Sequence, residues 1–172
     1  MKTLMLLCSL VTLVPAAQWQ VKIVGIKAGN TLEILHEGKV YAVKLHGIDC
    51  PAKTESFGKT ARRFTAGLAF MADAQVEVVA TESDGLLVAR VVLAGERDLA
   101  KELVKNGMCW WDKQATPGEV ALGKLEKQAR DAYLGLWAGA FDDSEIDYGK
   151  EVLVKRDQAE KGSALLTAAS GN

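Results

Sequence analysis

The chain has 172 residues, which fits one domain with short extensions and is too short for two ordinary ones. Its 49% hydrophobic and 25% charged residues are those of a globular protein, which excludes a chain too polar to build a core. A formal charge of −1 and a pI near 6.1 exclude the overall basic character that neutralises nucleic-acid phosphates, leaving room only for a local patch.

Residues 1–17 read as a secretory signal. Lys2 supplies the positive start, Leu4 to Val14 is an apolar run, and Pro15-Ala16-Ala17 offers small residues for cleavage. The run is too short to span a bilayer, so no transmembrane segment is expected once it is removed. Cys8 has no small residue before it, which argues against a lipid anchor. The remaining cysteines, Cys50 and Cys109, are a disulfide candidate in an exported chain.

Alternation predicts a half-buried strand over Trp19 to Lys27, and Gly29-Asn30 turns the chain into a second strand from Thr31 to Leu35. Glu37-Gly38 makes the next turn, and Lys39 to Ile48 reads as a third strand. Thr54 to Met71 is predicted helical, with Thr54 as N-cap and Phe57, Ala61, Phe64, Leu68 and Met71 on one face. Gln75 to Ala80 and Leu86 to Leu93 flank the hairpin signal Asp84-Gly85. Asp98 to Lys105 is a short helix stopped by Asn106-Gly107. A last helix spans Glu119 to Leu134, with Leu122, Leu125, Ala129, Ala132 and Leu136 turned inward and Gly135 closing it. Residues 139–172 are polar and patternless apart from Glu151-Val152-Leu153-Val154, and are expected to be disordered. The order of elements is that of an α+β fold, a five-stranded OB-fold barrel with three α-helices, over residues 18–138.

Four segments, in order, carry a resemblance. Val43-Lys44-Leu45-His46-Gly47-Ile48-Asp49-Cys50-Pro51 is followed by Phe57-Gly58-Lys59-Thr60-Ala61. Then come Glu102-Leu103-Val104 with Gly107-Met108-Cys109-Trp110-Trp111, and Leu125-Glu126, Ala129-Arg130 and Gly135-Leu136-Trp137. They resemble the V-R-L-x-G-I-D-C-P-E, F-G-x-x-A, E-L-V-x-x-G-x-C-W-W and L-E-x-x-A-R…G-L-W patterns of the thermonuclease, or staphylococcal nuclease-like, family. The likeness spans residues from about 19 to 138.

The resemblance implies phosphodiester hydrolysis with calcium on two aspartates, two arginines on the phosphate and a glutamate that activates water. This chain departs from that set. The first metal aspartate is Asn30, whose amide offers an oxygen but no charge, while the second survives as Asp49. The first arginine is Lys44, which keeps charge and loses the bidentate fork. The glutamate is Ala52, the second arginine is Leu86, and two aromatic positions near the nucleobase have become Asp84 and Asp112. No cofactor is expected, with calcium held only weakly through Asp49. The resemblance also implies that Cys50 and Cys109 meet near the barrel mouth and bridge.

The remaining chemistry is sparse. His36 and His46 lack a second ligand at metal spacing, so zinc is not expected. Trp110, Trp111 and Trp137 read as packing residues, and Lys59, Arg62 and Arg63 as a solvated basic face. Ser56 and Thr60 lie in no nucleophile motif. The expectation is an exported monomer, periplasmic or extracellular, with a catalytically inactive binding or scaffold domain. Its partner would be a protein or anionic ligand of unknown identity, with nucleic acid bound only weakly. The alternative is a weak or altered metal-dependent phosphodiesterase using Asn30 and Asp49, and a third reading is an envelope protein acting through its tail.

Overall fold

The computed structural model describes residues 18–138; the signal expected over 1–17 and the tail over 139–172 lie outside the described residues. Strand β1 (Gln18–Ala28) pairs antiparallel with β2 (Thr31–His36), and β2 pairs with β3 (Lys39–Leu45). On its other edge β1 pairs with β5 (Asp73–Thr81), which forms a hairpin with β6 (Leu87–Leu93). Parallel pairing of Val43, Lys44 and Leu45 with Leu87, Val88 and Ala89 then closes the five strands into a barrel. Closure removes the free edges that an open sheet would present.

Inward residues follow the alternation. Ile23, Leu32, Ile34, Val43, Leu45, Val76 and Val91 are fully buried. Along β1 the buried set steps from Ile23 to Ile26, where strict alternation would put Gly25, because the β1–β2 register shifts between Ile23 and Gly25. Such a bulge increases bend and twist, letting one long strand serve two neighbours.

Helix α1 spans Gly58–Ala69, four residues later than Thr54 suggests, and its N-cap is Phe57, at a left-handed φ of 72°. Phe57, Ala61 and Phe64 are buried as expected, whereas Met71 lies beyond the helix and is 52% exposed. Gly58 has a steric reason: a Cβ there would overlap the carbonyl oxygen of Ala52. The loop after the third strand is thus folded tightly onto the start of α1.

The expected third strand is broken. It stops at Leu45, turns through His46 and Gly47 (φ 79°), and resumes as the two-residue β4 (Ile48–Asp49). Strand β4 leaves the barrel to pair with β8 (Trp110–Trp111), which follows β7 (Arg97–Asp98) and α2 (Leu99–Lys105). The sulfurs of Cys50 and Cys109 are bonded beside this ribbon, with Cα atoms 4.3 Å apart. Helix α3 (Val120–Asp131) ends three residues early. Leu122 and Ala129 face the core, but Ala132 lies past the helix and is exposed, and Glu126 takes a buried position instead. Among the described residues no helix is long and apolar enough to cross a membrane.

Candidate functional site

The tight β1–β2 turn places Asn30 beneath the loop that follows β4, where it is 7% exposed. Its amide nitrogen donates to Asp49 Oδ1 at 3.4 Å, and its oxygen accepts from the Thr31 hydroxyl at 3.2 Å. Asp49 Oδ1 also accepts from the Cys50 amide at 3.0 Å. The backbone oxygen of Asn30 accepts from Leu45 N at 2.8 Å, fixing the turn against β3. Lys44 lies opposite Thr31 in the ladder and beside Val88 of β6. The fold therefore gathers Asn30, Thr31, Lys44 and Asp49 at one end of the barrel. Ala52 follows in the next loop, and Leu86 lies just before the start of β6, one residue ahead of the Leu87–Val43 pair.

What the carboxylates do here is local. Glu55 Oε2 accepts from Ala52 N at 2.8 Å, so a carboxylate folds back onto the very residue that lacks one. Asp84 Oδ1 accepts from Leu86 N at 3.0 Å. Asp112 Oδ1 accepts from Gln114 N and Ala115 N, each at 3.0 Å. Together with Asp49 on Cys50, four acids around this end cap backbone amides one to three residues away. This is the ordinary turn chemistry of short acidic side chains. The sequence marks Asp84 and Asp112 only as missing aromatic residues, and it carries no family signal for the role of Glu55.

The aromatic residues are held by packing. Trp111 Nε1 donates to the Thr116 carbonyl at 3.2 Å and to its hydroxyl at 3.1 Å. Gly123 of α3 lies so close to that indole that a Cβ would collide with it. Arg130 covers the Trp137 ring at 4.2 Å. His36 is remote from the gathered residues. It stacks on Trp19 with ring centroids 4.5 Å apart, at the opposite ends of β1 and β2. Of the basic face on α1, Arg62 is engaged, its Nε donating to the Ile26 carbonyl at 2.7 Å. Among the described residues, no three His, Cys, Asp or Glu side chains converge as a metal-binding group.

Comparison with known proteins supplies context for this geometry. A model of the staphylococcal nuclease homologue family matches residues 42–139, more than half of the chain. A micrococcal nuclease of Shigella flexneri is 30% identical over 139 residues, covering 75% of this chain and 80% of its own length. Protein ParB of Escherichia coli is 29% identical over 142 residues, 77% of this chain and 80% of its own length. An uncharacterized endonuclease of Haemophilus influenzae is 29% identical over 118 residues, 68% of this chain and 65% of its own length.

Proposed function

The chain belongs to the staphylococcal nuclease homologue family, and from that premise we propose that it is an exported binding or scaffold module that does not cleave nucleic acid efficiently. The observation that carries this reading is the hydrogen bond from the Asn30 amide to Asp49. Where the family pattern has two aspartates, this pair presents an N–H to a carboxylate and satisfies itself without an ion.

Hydrolysis of a phosphodiester requires charge stabilisation at phosphorus and an activated water. Ala52 and Leu86 offer neither a proton acceptor nor a donor. Losing a positioned base costs ~10²–10⁴ in rate, and losing one charge-stabilising donor costs ~10²–10³. The losses are not simply additive, but together they remove most of the acceleration. Calcium wants six to eight oxygens with carboxylates prominent, and the single carboxylate of Asp49 beside an amide does not fit that demand.

The hydrophobic run of residues 4–14 and the Cys50–Cys109 bridge support export to the periplasm or beyond, where disulfides persist. The proposed partner is a protein or a small anion, with nucleic acid bound weakly by a chain of net charge −1 acting as a monomer. A weak or altered metal-dependent phosphodiesterase is the second reading, favoured by the nuclease names of two relatives and by the exposure of Asp49.

The deciding experiment is a calcium-dependent cleavage assay on DNA and RNA with purified mature protein. The expected outcome is no appreciable turnover, while the triple substitution Asn30→Asp, Ala52→Glu, Leu86→Arg gains measurable activity. Turnover by the natural chain within about tenfold of an active family member, a smaller deficit than the ~10²–10⁴ that one missing base costs, would overturn the reading.

A further inference from the structure

Helix α1 carries its charges against its own dipole. Lys59, Arg62 and Arg63 are exposed in its first half, and the helix contains no acidic residue. The N-terminus is the positive end of a helix and favours carboxylates, so cations there are disfavoured. The spacing adds to this: Lys59 stands three and four residues before Arg62 and Arg63, and like charges so placed repel. Local rules are broken without a gain in packing chiefly where a function keeps the residues in place.

The described fold does little to offset these charges. Lys59 and Arg62 form no ion pair among the described residues, and Arg62 Nε donates to the neutral Ile26 carbonyl. The acids that precede and follow α1 in the chain are engaged elsewhere, Glu55 with Ala52 N and Asp73 with Lys22. Glu33, across the ladder from this end of β1, pairs with Lys27.

Complementary charge lies in the chain itself. Residues 142–147, outside the described residues, read Asp142-Asp143-Ser144-Glu145-Ile146-Asp147, four acids and no base. The last described residue, Ala138, stands nine positions before Asp147. Nine residues reach up to ~30 Å, against a diameter of about 35 Å for a domain of about 120 residues. The turn Gly135–Trp137 packs on α3, and α2 touches both α3 and α1, so the chain leaves the fold one helix away from the basic face. Lys127 and Arg130 on α3 are already paired with Asp131 and Glu126.

We propose that the basic face of α1 is a docking surface for the acidic segment 142–147 of the same chain. Tethering holds the segment at an effective concentration of millimolar order, so that several exposed charge pairs, each weak alone, act together. The docked carboxylates neutralise the cations and keep other polyanions from them. The surface stands whether or not the chain cleaves nucleic acid, because Lys59, Arg62 and Arg63 are not among the family's catalytic positions.

The test uses the full mature chain. With Cys50 and Cys109 bridged, Ser144→Cys adds a single free thiol for a nitroxide, and NMR reads which amides it broadens. At low salt the amides of residues 59–63 should broaden more than those of Leu35 and Val40 in the β2–β3 hairpin. The difference should vanish near 1 M salt, where the Debye length is ~3 Å. Lys59→Glu should reduce it by about twofold or more, the scale of one exposed charge pair, and this exposed change leaves the core intact. Neutralising the segment (Asp142→Asn, Asp143→Asn, Glu145→Gln, Asp147→Asn) should abolish it. Equal broadening of α1 and the hairpin overturns the proposal, as does broadening of α1 that survives neutralisation. If duplex DNA shifts the α1 amides while the label leaves them sharp, the face serves nucleic acid and the proposal fails.

Discussion

At Asn30, one atom decides what the β1–β2 turn tolerates. An amide nitrogen 3.4 Å from Asp49 is an attraction; a carboxylate oxygen there is a repulsion between like charges. Asn30→Asp alone is therefore expected to destabilise the chelated protein by on the order of 1–3 kcal/mol, and millimolar calcium should restore part of the loss. Melting temperatures with and without calcium check this, and a variant as stable as its parent in chelator would contradict it. Gly47 makes the complementary point about backbone. Its φ of 79° strains any L side chain, and a Cβ there would press to 3.0 Å from Thr116 Oγ1 and 3.2 Å from Leu122 Cδ1, so those side chains would have to give way slightly. Gly47→Ala should cost ~1–2 kcal/mol for the left-handed conformation before any steric contribution, read as a lower denaturant midpoint at unchanged slope.

At the level of elements, the β4–β8 ribbon depends on help from outside its own two-residue strands. The Cys50–Cys109 bridge closes a loop with a sequence separation of 59. In the chain-entropy treatment that closure is worth about 4 kcal/mol. Reduction, or Cys50→Ser with Cys109→Ser, should lower stability by that order and accelerate hydrogen exchange around Asp49 and Trp110 before the barrel amides. Mass spectrometry after alkylation under denaturing, non-reducing conditions should find neither thiol labelled. Glu126 supports the same ribbon from α3. It is 8% exposed, accepts from Trp111 N at 3.2 Å and lies 3.7 Å from Arg130. Glu126→Ala should cost ~1–3 kcal/mol by leaving a donor unsatisfied, measured by chemical denaturation.

At the scale of the whole molecule, a net charge of −1 sets the expectation for long-range attraction to polyphosphate. Duplex DNA should bind no more tightly than the non-specific range, ~10⁻⁴–10⁻⁶ M near physiological salt, and fluorescence anisotropy at two salt concentrations measures it. Much of this protein was readable one segment at a time. Alternation located the strands, the spacing of Phe57, Ala61 and Phe64 located the buried face of the first long helix, and the motif order pointed to the family. That Asn30, Ala52 and Leu86 stand where the family resemblance implies an aspartate, a glutamate and an arginine is read from residue identity alone. Those signals are local, carried by periods of two to four residues or by residue identity. The rest needed distant segments to meet. Two-residue strands such as Ile48–Asp49 and Trp110–Trp111 have no period to detect, and the break at Gly47 arises because β4 finds its partner across the bridge from Cys50 to Cys109. Barrel closure joins Val43 to Leu87, and a shallow cleft brings His46 beside Arg90 and Glu119. Residue identity along the chain determined which groups are available for chemistry; long-range packing of buried surface decided which of them face one another.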